Sequence, residues 1–297
     1  MNDINVNACQ NNCDSCAPAP QKKMPAPRPN SKEMFKIALN LTIACAVAAL
    51  ITGIVFIFTE PVKKINHLKR EQNVIRKLLS LNESATISEV SRVLVTRGNE
   101  TLIAYQKPDS GVLFTERGEF KERLDTKSEE ALEHKFGKEN VKVVGRFFIG
   151  REAAKVKGFV VEGVQMGFKT HIKFFLAVDD SLNIRGIEIL EHEEDPGLGA
   201  EIVRPYLKNQ FAGRTVENLK TMEVVKEPLP SEWNIVLNQL EKTALEQWKE
   251  KNAAIINSNQ KIYAITGATI STVAITDGVK STLLNFKKRI ELLRPYL

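Results

Sequence analysis

The chain has 297 residues, with 42 Lys and Arg against 36 Asp and Glu, a formal net charge of +6 and 43% hydrophobic residues. That length suffices for one folded domain with its own core beside an anchor or a tail. The small positive surplus lacks the dense basic stripe of a nucleic-acid binder. With no Rossmann glycine fingerprint, P-loop or nucleophile elbow in the sequence, the chain is not expected to bind NADH itself.

Residues 1–33 are poor in apolar bulk and rich in Pro, Asn, Ala and Lys, the composition of a disordered tail. Within it, Cys9, Cys13 and Cys16 stand close enough to hold a metal or an iron–sulfur cluster, but no fourth ligand follows nearby, because Cys45 falls inside the next apolar segment. Three idle thiols in a reduced cytosolic tail, or contact with a partner subunit, are the competing readings.

Residues 34–60 read as a transmembrane helix. No Asp, Glu, Lys or Arg occurs from Ile37 to Phe58, and at about 1.5 Å per residue such a run slightly exceeds the roughly 30 Å hydrocarbon core. It also exceeds the apolar core of a cleaved signal peptide, roughly 7–15 residues. Lys22, Lys23, Arg28, Lys32 and Lys36 precede it and Lys63, Lys64, Lys69 and Arg70 follow, a balance that favours a cytoplasmic N-terminus. Glu60-Pro61 is expected to end the span.

Residues 61–140 read as a helical linker and the first part of a soluble domain. Val62 to Leu81 forms an amphipathic helix, Arg92–Thr96 and Thr101–Tyr105 are strand-like, and Ser128–Phe136 is a polar helix candidate. The Glu and Lys residues from about 84 to 140 read as solvated surface.

Residues 141–297 read as the core of the soluble domain. Val141–Ile149, Lys157–Gly163, Thr170–Val178 and Ile184–Leu190 are β-rich runs, and Asp179–Asn183 has hairpin turn chemistry between the last two. Short connections imply an antiparallel sheet, so the fold class is α+β, with helices flanking the sheet. His171 is expected to pack on that sheet. Next comes an acidic loop (Glu191, His192, Glu193, Glu194, Asp195), which reads either as a metal cluster or as solvated surface, the latter favoured because a single His is at hand. The tight Pro196-Gly197-Leu198-Gly199 turn and a helix start follow. Residues 229–256 look helical from the spacing of Leu237, Leu240, Ala244 and Trp248, with Trp233 and Trp248 as core aromatics.

Near the C-terminus an apolar β-prone run (Ile262, Tyr263, Ile265) breaks at Thr266-Gly267-Ala268-Thr269. Val273, Ala274, Val279, Leu283 and Phe286 then keep one helical face apolar. The reading is strand, tight turn, helix. Four hydroxyls (Thr266, Thr269, Ser271, Thr272) crowd a helix start whose first amides lack intrahelical acceptors, a pattern open to an ordinary Ser/Thr cap or to a phosphate site.

Thr266-Gly267-Ala268-Thr269 resembles the Ser/Thr-Gly-Ala-Thr flavinylation motif of the FMN-binding domain in the G subunit of Rnf complexes and the C subunit of Na+-translocating NADH:quinone reductases. His192, Glu194, Pro196, Gly197, Leu198 and Gly199 match the same family's His-x-Glu-Thr-Pro-Gly-Leu-Gly loop, with Asp195 in place of the Thr, and Tyr206–Arg214 resembles its aromatic helix ending in a Phe-x-Gly-Lys/Arg turn. The resemblance covers about residues 37 to 290. It implies FMN carried on Thr269 through a phosphoester. The backbone of Thr266, Gly267, Ala268, Ile270 and Ser271 would lie around the phosphate, and Glu194, Pro196, Gly197, Leu198 and Gly199 against the flavin. In the family an acidic residue stands six positions before the modified Thr, where this chain has Tyr263.

The function implied is a membrane-anchored electron-transfer subunit of an ion-translocating oxidoreductase complex, not catalytic alone. Its partners would be the other membrane subunits and, for maturation, a flavin transferase. The resemblance places it in the inner (cytoplasmic) membrane with the flavin domain on the outer face. Rnf and Nqr membership both stay open. A freestanding flavinylated reductase for external acceptors and a structural subunit that never receives FMN are the alternatives.

Overall fold

The computed structural model describes residues 30–126, 128–238, 247, 248, 250–252, 258 and 260–297. Cys9, Cys13, Cys16, Leu240 and Ala244 lie outside the described residues. Two units divide at Lys64 and Ile65.

The first unit holds the opening stretch of a long helix, α1 (Ser31–Leu79). Its apolar side chains are exposed, and it is the one helix among the described residues long and apolar enough to cross a membrane, with a mean hydropathy of 2.6 in its most apolar window. Thr42, Thr52 and Thr59 turn their hydroxyls back to the carbonyls of Ala38, Ala48 and Val55 at 2.7–2.8 Å, so none of these hydroxyls is left unbonded where lipid offers no partner. Pro61 does not end the helix as its sequence suggests. A proline forfeits one backbone hydrogen bond and crowds the preceding turn, and here the helix runs on through it to Leu79.

In the second unit an eight-stranded antiparallel sheet runs in the order β4-β3-β2-β1-β5-β6-β7-β8. Its strands are β1 (Thr86–Arg97), β2 (Glu100–Gln106), β3 (Gly111–Thr115), β4 (Phe120–Leu124), β5 (Val141–Glu152), β6 (Lys155–Met166), β7 (His171–Asp179) and β8 (Ile184–Glu191). Since β1 pairs with both β2 and β5, the segments on either side of residue 140 form one sheet. The polar helix candidate is α2 (Glu129–Phe136), with the Ser128 hydroxyl accepting from the Ala131 amide as its cap. In the β7–β8 hairpin the left-handed residue is Leu182 (φ 66) rather than a neighbouring Asp or Asn. Its side chain belongs to the core, which holds it there.

The central strands are apolar on both faces, and alternate side chains go to opposite cores. Phe147, Phe159, Phe174 and Leu176 join Phe286 and Leu283 of the last helix. Phe148, Val160, Phe175 and Ala177 instead meet Ile75 and Leu79 at the end of α1. This double coverage is why these strands read as continuous apolar runs. A third, smaller core gathers Val93, Val95, Leu102, Leu113 and Leu132.

On the α1 side the sheet carries one partly buried ion network. Arg146 bonds Glu71 at 2.5 Å and also Glu162, which Lys173 meets at 3.3 Å. Burial alone would lower the Arg146 pKa, but the hydrogen bonds to Glu71 and Glu162 outweigh it and hold the guanidinium above its ordinary value. His171 is exposed at the start of β7 instead of packing on the sheet, because strand pairing places it in the last register before the loop, opposite Met166.

After β8 the chain makes a 3-10 turn (Gly199–Val203) and the short helices α3 (Pro205–Lys208), α4 (Val216–Thr221) and α5 (Ser231–Leu237). The strands β9 (Glu223–Val225) and β10 (Lys261–Tyr263) form a small parallel pair. The last helix, α6 (Thr269–Leu293), lies on the main core. Its buried face is as expected at Ala274, Val279, Leu283 and Phe286, but Val273 is outside and Ile275 inside. Helical rotation of 100° per residue settles that choice, and the sequence offers an apolar residue at both positions.

Candidate functional site

The two glycine turns singled out in the sequence meet at the start of α6. β10 runs into a turn in which the Ala268 amide donates to the Ile265 carbonyl at 2.9 Å. Gly267 sits at φ 78, and a Cβ there would come 2.9 Å from Leu198 Cδ2 in the other turn. Gly199 is equally confined, since a Cβ would lie 2.6 Å from Glu194 Oε2 and 2.7 Å from Ser271 Oγ. Both positions therefore require glycine, Gly267 for its backbone angle and Gly199 for space.

The four hydroxyls divide into two used and two free. Ser271 donates to Glu194 Oε2. Thr272 donates to the Ala268 carbonyl at 3.0 Å and accepts from the Ile265 amide at 3.2 Å. Thr266 is exposed and Thr269 half-buried, and neither hydroxyl makes a hydrogen bond among the described residues. Ala268 occupies the cap position and offers no side-chain acceptor, so the Ser/Thr cap open on sequence grounds does not form. The first amides of a 25-residue helix are left without a side-chain partner.

Glu194 corrects the reading of the acidic loop as solvated surface. It is 4% exposed and Ser271 2%. Its other oxygen accepts from the Lys169 amide at 3.1 Å, and Lys169 Nζ pairs with Asp195. The neighbouring Glu191 lies 3.9 Å from His67. These carboxyl groups point to different partners and do not converge on one point. His192 is half-buried, with its Nδ1 unpartnered. Around this polar seam the surface is apolar: Ile270 is 59% exposed and Leu198 47%, and Val203 and Val273 are also exposed. Pro196 and Gly197 are exposed beside them.

Two residues hold β10 in place: Gln210, not singled out in the sequence, and Arg214, which closes the Phe-x-Gly-Lys/Arg turn. Gln210 brackets Tyr263, accepting from its amide at 2.8 Å and donating to its carbonyl at 3.2 Å. Arg214, 1% exposed, donates from Nε to the Gln210 carbonyl at 2.8 Å and from its terminal nitrogen to the Lys261 carbonyl at 3.0 Å. Burial pushes its pKa down to about 10. The sequence marked Arg214 as the end of that turn but gave no sign of its partners, and Gln210 carried no signal. Tyr263 is itself buried, edge-on to Trp233 at 6.4 Å, and Trp233 is edge-on to Trp248 at 5.5 Å.

The edge loop of the sheet and the last helix thus bring together two glycine turns, a helix start without a side-chain cap and the unbonded hydroxyls of Thr266 and Thr269. Residues 167–284 match the family described as FMN-binding domain, a segment running from just after β6 into α6 and containing both turns.

Relatives extend over most of the length. The G subunit of an ion-translocating oxidoreductase complex from Methanosarcina acetivorans is 21% identical over 86% of this chain and 95% of its own. The G subunit of a proton-translocating ferredoxin:NAD(+) oxidoreductase complex from Clostridium ljungdahlii is 20% identical over 86% of this chain and 92% of its own. Among solved structures, NqrC of Shewanella oneidensis superposes with a TM-score of 0.42 at 14% identity, over 74% of this chain and 97% of that one.

Proposed function

We propose that the chain is the electron-transfer subunit of a membrane ion-translocating oxidoreductase complex of the Rnf or Nqr type, and that it carries FMN through a phosphoester on Thr269. The family match and the near full-length relatives support the redox role. The observation that carries the attachment point is the division of the hydroxyls: Ser271 and Thr272 are committed to Glu194 and to the turn, while Thr269 is half-buried and free at an uncapped helix start.

The residues fit an esterified phosphate. Its charge would lie against the unpaired amides of Ile270 and Ser271 and the positive end of α6. Glu194 holds the Ser271 side chain in the first turn. Gly267 lets the chain enter the turn beside Leu198, and the exposed Ile270 and Leu198 offer apolar surface to a flat ring. Bound FMN would supply the one-electron chemistry, and the protein the position and the surrounding field. A covalent link suits a carrier on an exposed surface, which would otherwise lose its cofactor to solution.

Maturation requires a flavin transferase, and electron flow requires the other membrane subunits. Between Ile37 and Phe58 the α1 span has no carboxylate to form an ion path, so those partners supply it. The N-terminus lies in the cytoplasm and the flavin domain on the outer face.

The test uses protein from a host that has the transferase. Denatured chain should give a fluorescent band under ultraviolet light, and the tryptic peptide Ile262–Lys280 should gain the mass of FMN less one water. Both should vanish in Thr269→Ala. A dark band with an unmodified peptide would overturn the attachment and favour a structural role without flavin, for which the family acid's replacement by a buried Tyr263 is the supporting observation.

A further inference from the structure

Further along α6, away from Thr269, a cavity of about 510 Å³ opens between the helix and strands β1, β2, β5 and β6. Ser281, at its near edge, is 12 residues beyond Thr269, or about 18 Å at 1.5 Å per residue. The cavity forms where β5 bulges: Arg92 pairs with Gly145 and Val93 with Val143, which leaves Val144 as the extra residue. Such bulges bend a strand and re-aim its side chains.

The polar groups at the wall are mostly donors. Arg92 and Arg289 enter from the sheet and from the helix, joined by Tyr105, Ser281, Thr282 and Asn285. Neither guanidinium has a carboxylate partner among the described residues, and Arg92 Nε is buried without any hydrogen bond. Burial, and then the charge of Arg92, push Arg289 below its ordinary pKa. The carboxyl group that reaches the rim, Glu162, is already engaged by Arg146 and Lys173. Val143, Val144, Phe147, Val161 and Val164 supply the apolar remainder. Two half-buried like charges, with Tyr105 bonding Arg92 but no carboxylate beside either, are costly unless an anion joins them, and the volume is that of a small-molecule site rather than of a bare ion.

We propose that this cavity is a second ligand site, separate from Thr269, that binds a phosphate-bearing molecule with an apolar body, its oxyanion held between Arg92 and Arg289. The phosphate could be carried by a soluble metabolite or by a lipid headgroup, and the two are distinguished by the test. Control of electron transfer by such a ligand would follow from its packing against α6, the helix that begins at Thr269.

The experiment is thermal unfolding and calorimetric titration of the full chain in detergent at constant ionic strength. One arm uses phenyl phosphate against inorganic phosphate and chloride, and the other uses mixed micelles containing phosphatidylglycerol. The expected result is saturable binding of phenyl phosphate or of the anionic lipid, tighter than inorganic phosphate. It should be weakened at least about tenfold by Arg289→Gln or Arg92→Gln, as for loss of one charged hydrogen-bonding partner, and unchanged in Thr269→Ala. Binding in the lipid arm alone assigns the source to the membrane. Binding that survives both arginine substitutions, that is lost in Thr269→Ala, or that chloride reproduces would overturn the proposal. Arg289→Gln without ligand should unfold at the wild-type temperature or above it, and a marked drop would make the arginine structural and overturn the site.

Discussion

The two ends of α6 are polar in opposite ways. At its start the buried polar groups are matched: Ser271 with Glu194, Thr272 with the turn carbonyl and amide, Tyr263 with Gln210. What remains free there are the hydroxyls of Thr266 and Thr269 and the first helix amides. Beside its second half two guanidinium groups share a cavity with no carboxylate partner among the described residues. The first arrangement is a paired frame around the Thr269 hydroxyl, the proposed attachment point. The second keeps a charge that a ligand can neutralise. Buried polar groups stabilise a fold only when paired, so the start of α6 contributes to stability while the cavity adds little or nothing to it.

Substitutions should expose that difference in order of size. Glu194→Ala removes the acceptor of both the Ser271 hydroxyl and the Lys169 amide. It should cost about 3 kcal/mol, since the buried Ser271 hydroxyl and the part-buried Lys169 amide both lose their acceptor, and lower flavin per chain several-fold, read by urea unfolding and by absorbance after denaturation. A loss below 1 kcal/mol would mean the frame is not held by this pair. Gln210→Ala leaves the amide and carbonyl of Tyr263 unpaired and should cost about 2 kcal/mol, with flavin occupancy falling less than in Glu194→Ala. Gly267→Ala introduces both a strained φ and a contact with Leu198, for about 1–2 kcal/mol. Adding Leu198→Ala should recover part of this, because only the contact is relieved, and no recovery at all would assign the whole cost to the backbone. Arg289→Gln sits at the bottom of the scale, within about 0.5 kcal/mol of wild type without ligand.

Much of the fold was legible because its signals are local. The apolar stretch of α1, the strands from Val141 to Leu190, the polar helix capped by Ser128 and the strand-turn-helix at the C-terminus follow from hydrophobic period and turn chemistry over windows of a few residues. The strands β3 and β4 were not legible, being short and mixed in composition. Pro61 misled because a proline's local cost decides a boundary only when nothing continues the helix beyond it.

Local composition and spacing are enough to place an apolar span before an α+β domain, two glycine turns roughly 70 residues apart, and a gathering of hydroxyls at a helix start. The sequence could not say which hydroxyls are free, because that depends on Glu194 arriving from a distant loop to occupy Ser271 and on the turn folding back on Thr272. Nor could it foresee a cavity that joins Arg92 to Arg289, residues almost 200 positions apart. Side-chain pairing and burial are settled by contacts remote in sequence, which exist only once the sheet has formed and α6 has packed across it.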